Sequence, residues 1–239
     1  MGFAKHEMRR LMGRAINGRN MIKEGDHVLV AVSGGKDSLA LLWLLKERLR
    51  RMPVKYRLTA IHVDPGFGAD SAAQMEDFFK EHGFDYRVIR SDIGPKAHQS
   101  QNRENPCFVC SRLRRKLLFN TAAELGCNLL ALGHHKDDLI ETFFLNVFYS
   151  ASISTIKPVQ ELFDGRLTII RPLFLIDEGL IERYVKSMGW SAVDLGCPTS
   201  GSSKREQIKN MLKVFYGSNR KVKGNIFHAL QNVNLDYLP

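Results

Sequence analysis

Two sets of residues in this chain have the types and spacing that chemistry requires. The first is Ser33-Gly34-Gly35-Lys36-Asp37-Ser38. It follows the apolar run Val28–Val32 and precedes Leu39-Ala40-Leu41-Leu42, so it reads as the turn between a buried strand and a helix, with Asp37 and Ser38 as candidate caps. Paired glycines let the backbone approach a ligand closely, and the N–H groups of the helix start converge on one point. Such a point holds an anion, and a phosphate suits it. The spacing is too short for a Walker loop and lacks the three glycines of a dinucleotide fingerprint. A plain strand-to-helix turn with two glycines is the remaining reading.

The second set is sulfur. Cys107-Phe108-Val109-Cys110 opens a helix after a polar loop, where a helix N-terminus favours thiolate. The pair suits a redox site, a zinc half-site or part of an iron–sulfur site. A second CxxC is absent from the sequence, which excludes a four-cysteine zinc centre. Cys127 begins an apolar strand and reads as a small buried hydrophobe. Cys197, in Leu195-Gly196-Cys197-Pro198, is then the third candidate ligand. Three thiolates suit a cubane cluster with one iron left open; zinc completed by His134 or His135 is the competing arrangement, and unligated cysteines the bland one.

The elements that must position these residues alternate. Strands are expected at Val28–Val32, Tyr56–Val63, Asp85–Arg90, Asn128–Leu132 and Leu167–Arg171, with helices at Leu39–Arg51, Ser71–His82, Cys107–Leu125, Leu139–Tyr149 and Asp177–Met188. This order predicts an α/β, doubly wound, mostly parallel five-stranded sheet flanked by helices, with ligands at the carboxyl ends of the strands. Asp64 and Gly133-His134-His135-Lys136-Asp137-Asp138 stand at such ends. Residues 92–106 and 150–166 read as loops. The expected boundaries are a basic N-terminal helix over 1–24, a catalytic domain over 25–198 and a basic helical region over 199–239.

Ser-Gly-Gly-x-Asp-Ser after a buried strand resembles the PP-loop of the ATP pyrophosphatase superfamily, which cleaves ATP between its α- and β-phosphates. Together with Asn105-Pro106-Cys107-Phe108-Val109-Cys110-Ser111-Arg112-Leu113-Arg114-Arg115, Gly133–Asp138, Arg171-Pro172-Leu173 and Cys197-Pro198, the chain resembles the TtcA family of tRNA 2-thiocytidine synthetases from about residue 20 onward. The resemblance implies an enzyme that adenylates the C2 oxygen of an anticodon-loop cytidine, at position 32, and replaces it with sulfur. It implies ATP, magnesium (Mg2+) and a [4Fe–4S] cluster on Cys107, Cys110 and Cys197. Where some relatives carry a further cysteine, this chain has Ser200.

On that reading Ser33 to Ser38 hold the phosphates and Lys36 neutralises charge. Ala31, Val32, His62, Val63, Gly133 and His134 contact the nucleotide. Asp37, Asp137 or Asp138 orients magnesium or a substrate proton, or merely caps a helix. Arg114, Arg115 and Lys116 meet RNA phosphate or the AMP leaving group, or form a solvated face. Partners are tRNA, a sulfur donor (a cysteine desulfurase or sulfide) and, as in many relatives, a second copy.

Composition fits this. The 239 residues carry a formal net charge of +10, which suits a polyanionic partner. From Lys204 to Lys223 seven basic residues meet one acid, with Phe215 and Tyr216 interleaved. No apolar run approaches the roughly 20 residues that span a bilayer, and no secretory leader is visible, so a cytoplasmic protein is expected. Competing functions are a 2-thiouridine synthetase, whose flanking zinc-finger pairs are missing here, a lysidine synthetase, which leaves the thiols unexplained, and a non-catalytic ATP- or RNA-binding module.

Overall fold

The computed structural model describes residues 2–68, 70–199, 201 and 203–237; Ser200 lies outside them. Two compact units are present, one formed by 1–135 with 158–198, the other by 136–157 with 199–239.

The first unit is built on strands β1 (His27–Ala31), β2 (Arg57–Asp64), β3 (Asp85–Arg90), β4 (Leu129–Ala131), β5 (Val159–Leu162) and β6 (Leu167–Ile170), in the order β3-β2-β1-β4-β6-β5. All pairs are parallel except β5 with β6. The sheet therefore has six strands, one more than the sequence pattern predicts. The extra strand lies inside 150–166: Val159-Gln160-Glu161-Leu162 is too short and polar to declare itself, and the turn at 163–166 folds it onto β6 as an edge hairpin.

Strand order reverses between β1 and β4, so their carboxyl ends flank the crevice of a doubly wound sheet. One face of the sheet buries Leu29, Ile61, Leu130 and Ile169 against Leu118 and Ala122 of helix α5 (Pro106–Glu124), with Cys127 in the same cluster. Neighbouring strand residues point the other way. Helix α7 (Glu178–Ser187) packs against both α1 (Phe3–Gly18) and α2 (Lys36–Arg51), α1 burying Met8, Met12, Ala15 and Ile16. Helix α3 (Ser71–Glu81) covers β2 and β3, and α4 (Ile93–Ala97) is a short turn within the stretch 92–106 that sequence reads as loop.

The second unit packs α6 (Lys136–Ser150) with α8 (Lys204–Ser218) and α9 (Val222–Ala229). It buries Leu139, Ile140, Ile208, Leu212 and Phe227. Among the described residues no helix is long and apolar enough to cross a membrane.

Candidate active site

β1 ends at Ala31, and the chain turns through Val32–Gly35 into α2. Gly34 adopts φ +86°, and a Cβ there would sit 2.9 Å from the Cβ of Val193. The strand-to-helix turn thus requires glycine twice over, for backbone angle and for space. Val193 N–H donates to the Gly34 carbonyl at 3.0 Å, tying the loop to the segment after α7. The N-cap is Gly35, not Asp37 or Ser38, which lie inside the first turn. Ser38 instead braces the loop: its hydroxyl donates to the Gly35 carbonyl at 2.8 Å and accepts from Ser33 N–H at 3.2 Å. Gly35 N–H donates to Ser33 Oγ at 3.3 Å.

Lys36 Nζ lies 2.9 Å from Glu178 Oε1 at the start of α7 and 3.4 Å from Asp37 Oδ2. Burial pulls the Lys36 pKa down, but the Glu178 hydrogen bond and the Asp37 charge outweigh it and leave it raised. Lys36 is therefore a held, fully charged cation at the rim of the loop. Glu178 had no signal in the sequence beyond being an acid in a helix first turn. Behind the loop, Gly133 lets the end of β4 approach α2: a Cβ there would meet the Asp37 carbonyl carbon and Ser38 N at 3.2 Å. His135 is buried, with Nε2 3.8 Å from Asp37 Oδ1. His134 Nδ1 accepts from buried Arg171 Nε at 3.2 Å. Burial lowers the Arg171 pKa to about 10, with Arg115 adding to the effect.

His62 is fully buried and its Nδ1 bonds the Val32 carbonyl at 2.8 Å. A carbonyl only accepts, so Nδ1 carries the proton and Nε2 is a lone-pair acceptor. That Nε2 is buried with no hydrogen-bond partner. Desolvation lowers the His62 pKa, against the Val32 bond and Asp64, while Arg114 lowers it further. Val32 and Val63 bury their side chains, and Ala31 is half-buried.

Arg114 links this histidine to the cysteines. Asn105 caps α5, its side-chain oxygen accepting from Cys107 N–H at 2.9 Å, and Pro106 supplies the first turn without an orphan donor. Cys107 and Cys110, three apart on a helix, share a face. Cys107 is exposed, Cys110 and Cys197 half-buried, and none is in a disulfide. Burial raises the Cys110 pKa; Arg114 opposes this, and Cys197 and Cys107 add to it, so the three sulfurs lie within electrostatic reach. His62, bonded to the Val32 carbonyl, and Cys110 thus both feel the Arg114 guanidinium. Arg114 turns inward, whereas Arg115 and Lys116 are exposed.

A cluster held by three protein sulfurs takes each thiolate on a different iron, and Cys107, Cys110 and Cys197, with Arg114 beside Cys110, supply donors of that kind. A single zinc demands ligands crowded round one ion. Among the described residues no group of three or more His, Cys, Asp or Glu is set to hold one metal ion, and His134 and His135 face Arg171 and Asp37 instead. Cys127 is buried in the apolar cluster with its pKa pushed up to about 11.

The chain matches the PP-loop domain family over residues 5–212. It is 37% identical over 235 residues to the tRNA-cytidine(32) 2-sulfurtransferase of Syntrophotalea carbinolica, covering 97% of this chain and 91% of that protein. The Alkalilimnicola ehrlichii protein of the same name is 39% identical, over 95% of this chain and 73% of its own length. The chain belongs to the tRNA-cytidine(32) 2-sulfurtransferase family. Its fold is similar to that of the U34-tRNA thiolase NcsA from Methanococcus maripaludis, solved with its [4Fe–4S] cluster, at TM-score 0.79 and 24% identity over 99% of this chain and 80% of that one.

Within this TtcA-family chain the paired aspartates belong to the second unit. Asp137 and Asp138 lie in the first turn of α6, where the helix dipole favours them. Lys223 Nζ contacts Asp137 Oδ1 at 2.5 Å, and Arg205 donates to Asp138 Oδ1 at 3.0 Å and to Thr142 Oγ1 at 3.1 Å. The sequence marks Arg205 and Lys223 only as members of a basic stretch; their carboxylate partners emerge from the packing of α8 and α9 on α6. Glu141, one turn on, is buried. Its pKa is raised to about 7 by that burial and by Asp138, against Arg205 and Lys209.

Proposed function

We propose that this protein is a tRNA sulfurtransferase that thiolates cytidine 32 of the anticodon loop at C2, at the expense of ATP cleaved to AMP and pyrophosphate. The observation that carries the reading is the braced loop Ser33–Ser38 in a chain of this family that also carries the thiols of Cys107, Cys110 and Cys197.

A carbonyl oxygen is a poor leaving group, so the cytidine C2 oxygen must first become an adenylate. The oxygen attacks the α-phosphorus, the bond to the β-phosphate breaks, and pyrophosphate leaves. Backbone N–H groups of Gly34 to Ser38 and the start of α2 hold the β- and γ-phosphates. Lys36 neutralises the charge gathering on pyrophosphate, leaving Glu178 for phosphate as it does so. His62 offers its acceptor Nε2 to a donor of the nucleotide, and Gly133 and His134 line the approach. Asp37, Asp137 or Asp138 would hold Mg2+, which would supply positive charge for the phosphates, or would accept a proton from the nucleoside. Cys107, Cys110 and Cys197 would hold a [4Fe–4S] cluster, which would supply an iron site for the incoming sulfur, and Arg114 favours the Cys110 thiolate. Sulfur replaces the adenylated oxygen and AMP departs. Hydrosulfide balances the exchange, its sulfur bonding C2 as the C2–O bond breaks and AMP leaves with the oxygen; a cysteine desulfurase serves as donor where a thiol reductant supplies the two electrons that cleave its persulfide. The enzyme works in the cytoplasm where tRNA is, and it acts as a homodimer.

Anaerobic reconstitution with iron and sulfide, followed by a visible spectrum and thionucleoside analysis of a tRNA substrate, tests this. The expected outcome is a 2-thiocytidine product that needs ATP and yields one AMP per thiolation. Iron-free protein thiolating at full rate would overturn the cluster; no thiolated cytidine from reconstituted protein would overturn the function.

A further inference from the structure

A groove between α1 and the last turns of α2 has no part in the chemistry above. It encloses about 350 Å3, and Arg9, Arg10, Arg48 and Arg51 line it over a floor that includes Met12 and Leu44. The one acid among its lining residues is Glu47, so the charged lining is four cations against one anion, net +3. Glu47 is already engaged by Lys5 at 2.7 Å and Arg9 at 2.8 Å.

Arg48 and Arg51 lack such a partner among the described residues. Arg48 Nη2 donates to the neutral Asn17 Oδ1 at 2.8 Å, and burial lowers its pKa with no carboxylate opposing. Arg51 is exposed and has no carboxylate partner among the described residues. Arg10 forks onto half-buried Glu7, three residues before it, with Nε to Oε2 at 2.8 Å and Nη2 to Oε1 at 2.6 Å, which leaves Arg48 and Arg51 as the uncompensated cations of the groove. A helix C-terminus favours cations, which accounts for part of the basic charge on α2. It does not account for half-burying Arg48 without a counter-ion, because a desolvated charge needs an opposite charge. The groove is thus an anion site completed from outside.

Resting on the functional reading above, we propose that this groove binds the phosphodiester backbone of the tRNA substrate, away from the modified nucleotide. Helix α2 carries both sites: its first turn follows the phosphate loop, and Arg51 lies about 22 Å further along the same axis at about 1.5 Å per residue. An extended RNA reaches both at once, whereas ATP held by the loop does not. The open form and guanidinium walls suit phosphates spaced along a backbone, which Arg binds by paired N–H donors.

The test compares full-length wild type with an Arg10→Ala, Arg51→Ala double variant, both exposed positions, in equilibrium binding of unmodified tRNA at several salt concentrations. The expected result is a Kd raised about tenfold near physiological salt and a salt slope reduced by about 1 or more, with ATP affinity and Tm unchanged. Arg10→Lys with Arg51→Lys restores only part of the binding, because lysine keeps the charge and loses the paired donors. A charge-matched control on another face, Lys80→Ala with Arg87→Ala, leaves tRNA affinity within twofold. Unchanged Kd and slope in the double variant, or an equal loss in the control, overturns the groove. Lost ATP affinity with intact tRNA affinity assigns it to a free nucleotide and overturns it too. Wild type that binds no tRNA removes the functional reading itself.

Discussion

The phosphate loop and the proposed cysteine site are made in opposite ways. The loop is contiguous: six residues, two glycines and a serine that bonds three residues back decide its shape. Its long-range ties include a 3.0 Å bond from Val193 and the Lys36–Glu178 pair. The cysteine centre joins a capped helix start to a residue on a distant segment, leaves Cys107 exposed and relies on Arg114 to offset burial of Cys110. An anion cradle formed from backbone costs little to preorganise locally. A cluster site needs only that sulfurs come near enough for the iron to finish the assembly.

That contrast breaks if the two sites fail together. Cys197→Ala is expected to abolish thiolation and to lower iron content after reconstitution, while ATP affinity by calorimetry stays within twofold; lost ATP binding would merge the sites. Cys127→Ala, the buried cysteine of the core, should instead retain iron and activity and lower stability by about 1 kcal/mol on denaturant unfolding. Gly34→Ala is the opposite lesion. A side chain at φ +86° pressed against Val193 costs about 1–3 kcal/mol, so ATP affinity should drop at least tenfold while iron loading persists.

Smaller effects sharpen the picture. Glu178→Gln removes a carboxylate that competes with phosphate for Lys36; ATP should bind up to about fivefold tighter and the fold lose about 1 kcal/mol, as for a partly buried pair. Unchanged ATP affinity would mean that Lys36 does not meet phosphate. His62 links the two sites and its pKa is lowered by burial. The unfolded chain takes a proton near pH 6.5 that the folded His62 refuses, so its contribution to stability is present above that pH and lost as pH falls below it. Between pH 7.5 and 5.5 the stability of His62→Gln should fall less steeply than that of wild type.

Glycine spacing, β-branched strands and the Asn-Pro helix start acted locally, so the phosphate loop, the parallel sheet and the helix bearing Cys107 and Cys110 were all legible before any coordinates. The antiparallel edge strand was not, because Val159-Gln160-Glu161-Leu162 becomes a strand only by pairing with β6. The cap of α2 went to Gly35 because the glycine's extended backbone, rather than a side chain, starts that helix.

By itself, then, the order of residues determined which groups could bind phosphate and sulfur chemistry, since those demands are met within one turn of chain. Tertiary structure alone decided that Glu178 faces Lys36, that Arg205 and Lys223 take the two aspartates, and that Arg10 and Arg51 flank one groove. Charges far apart in sequence become partners only when packing brings them within a few ångströms, and no local propensity encodes that distance.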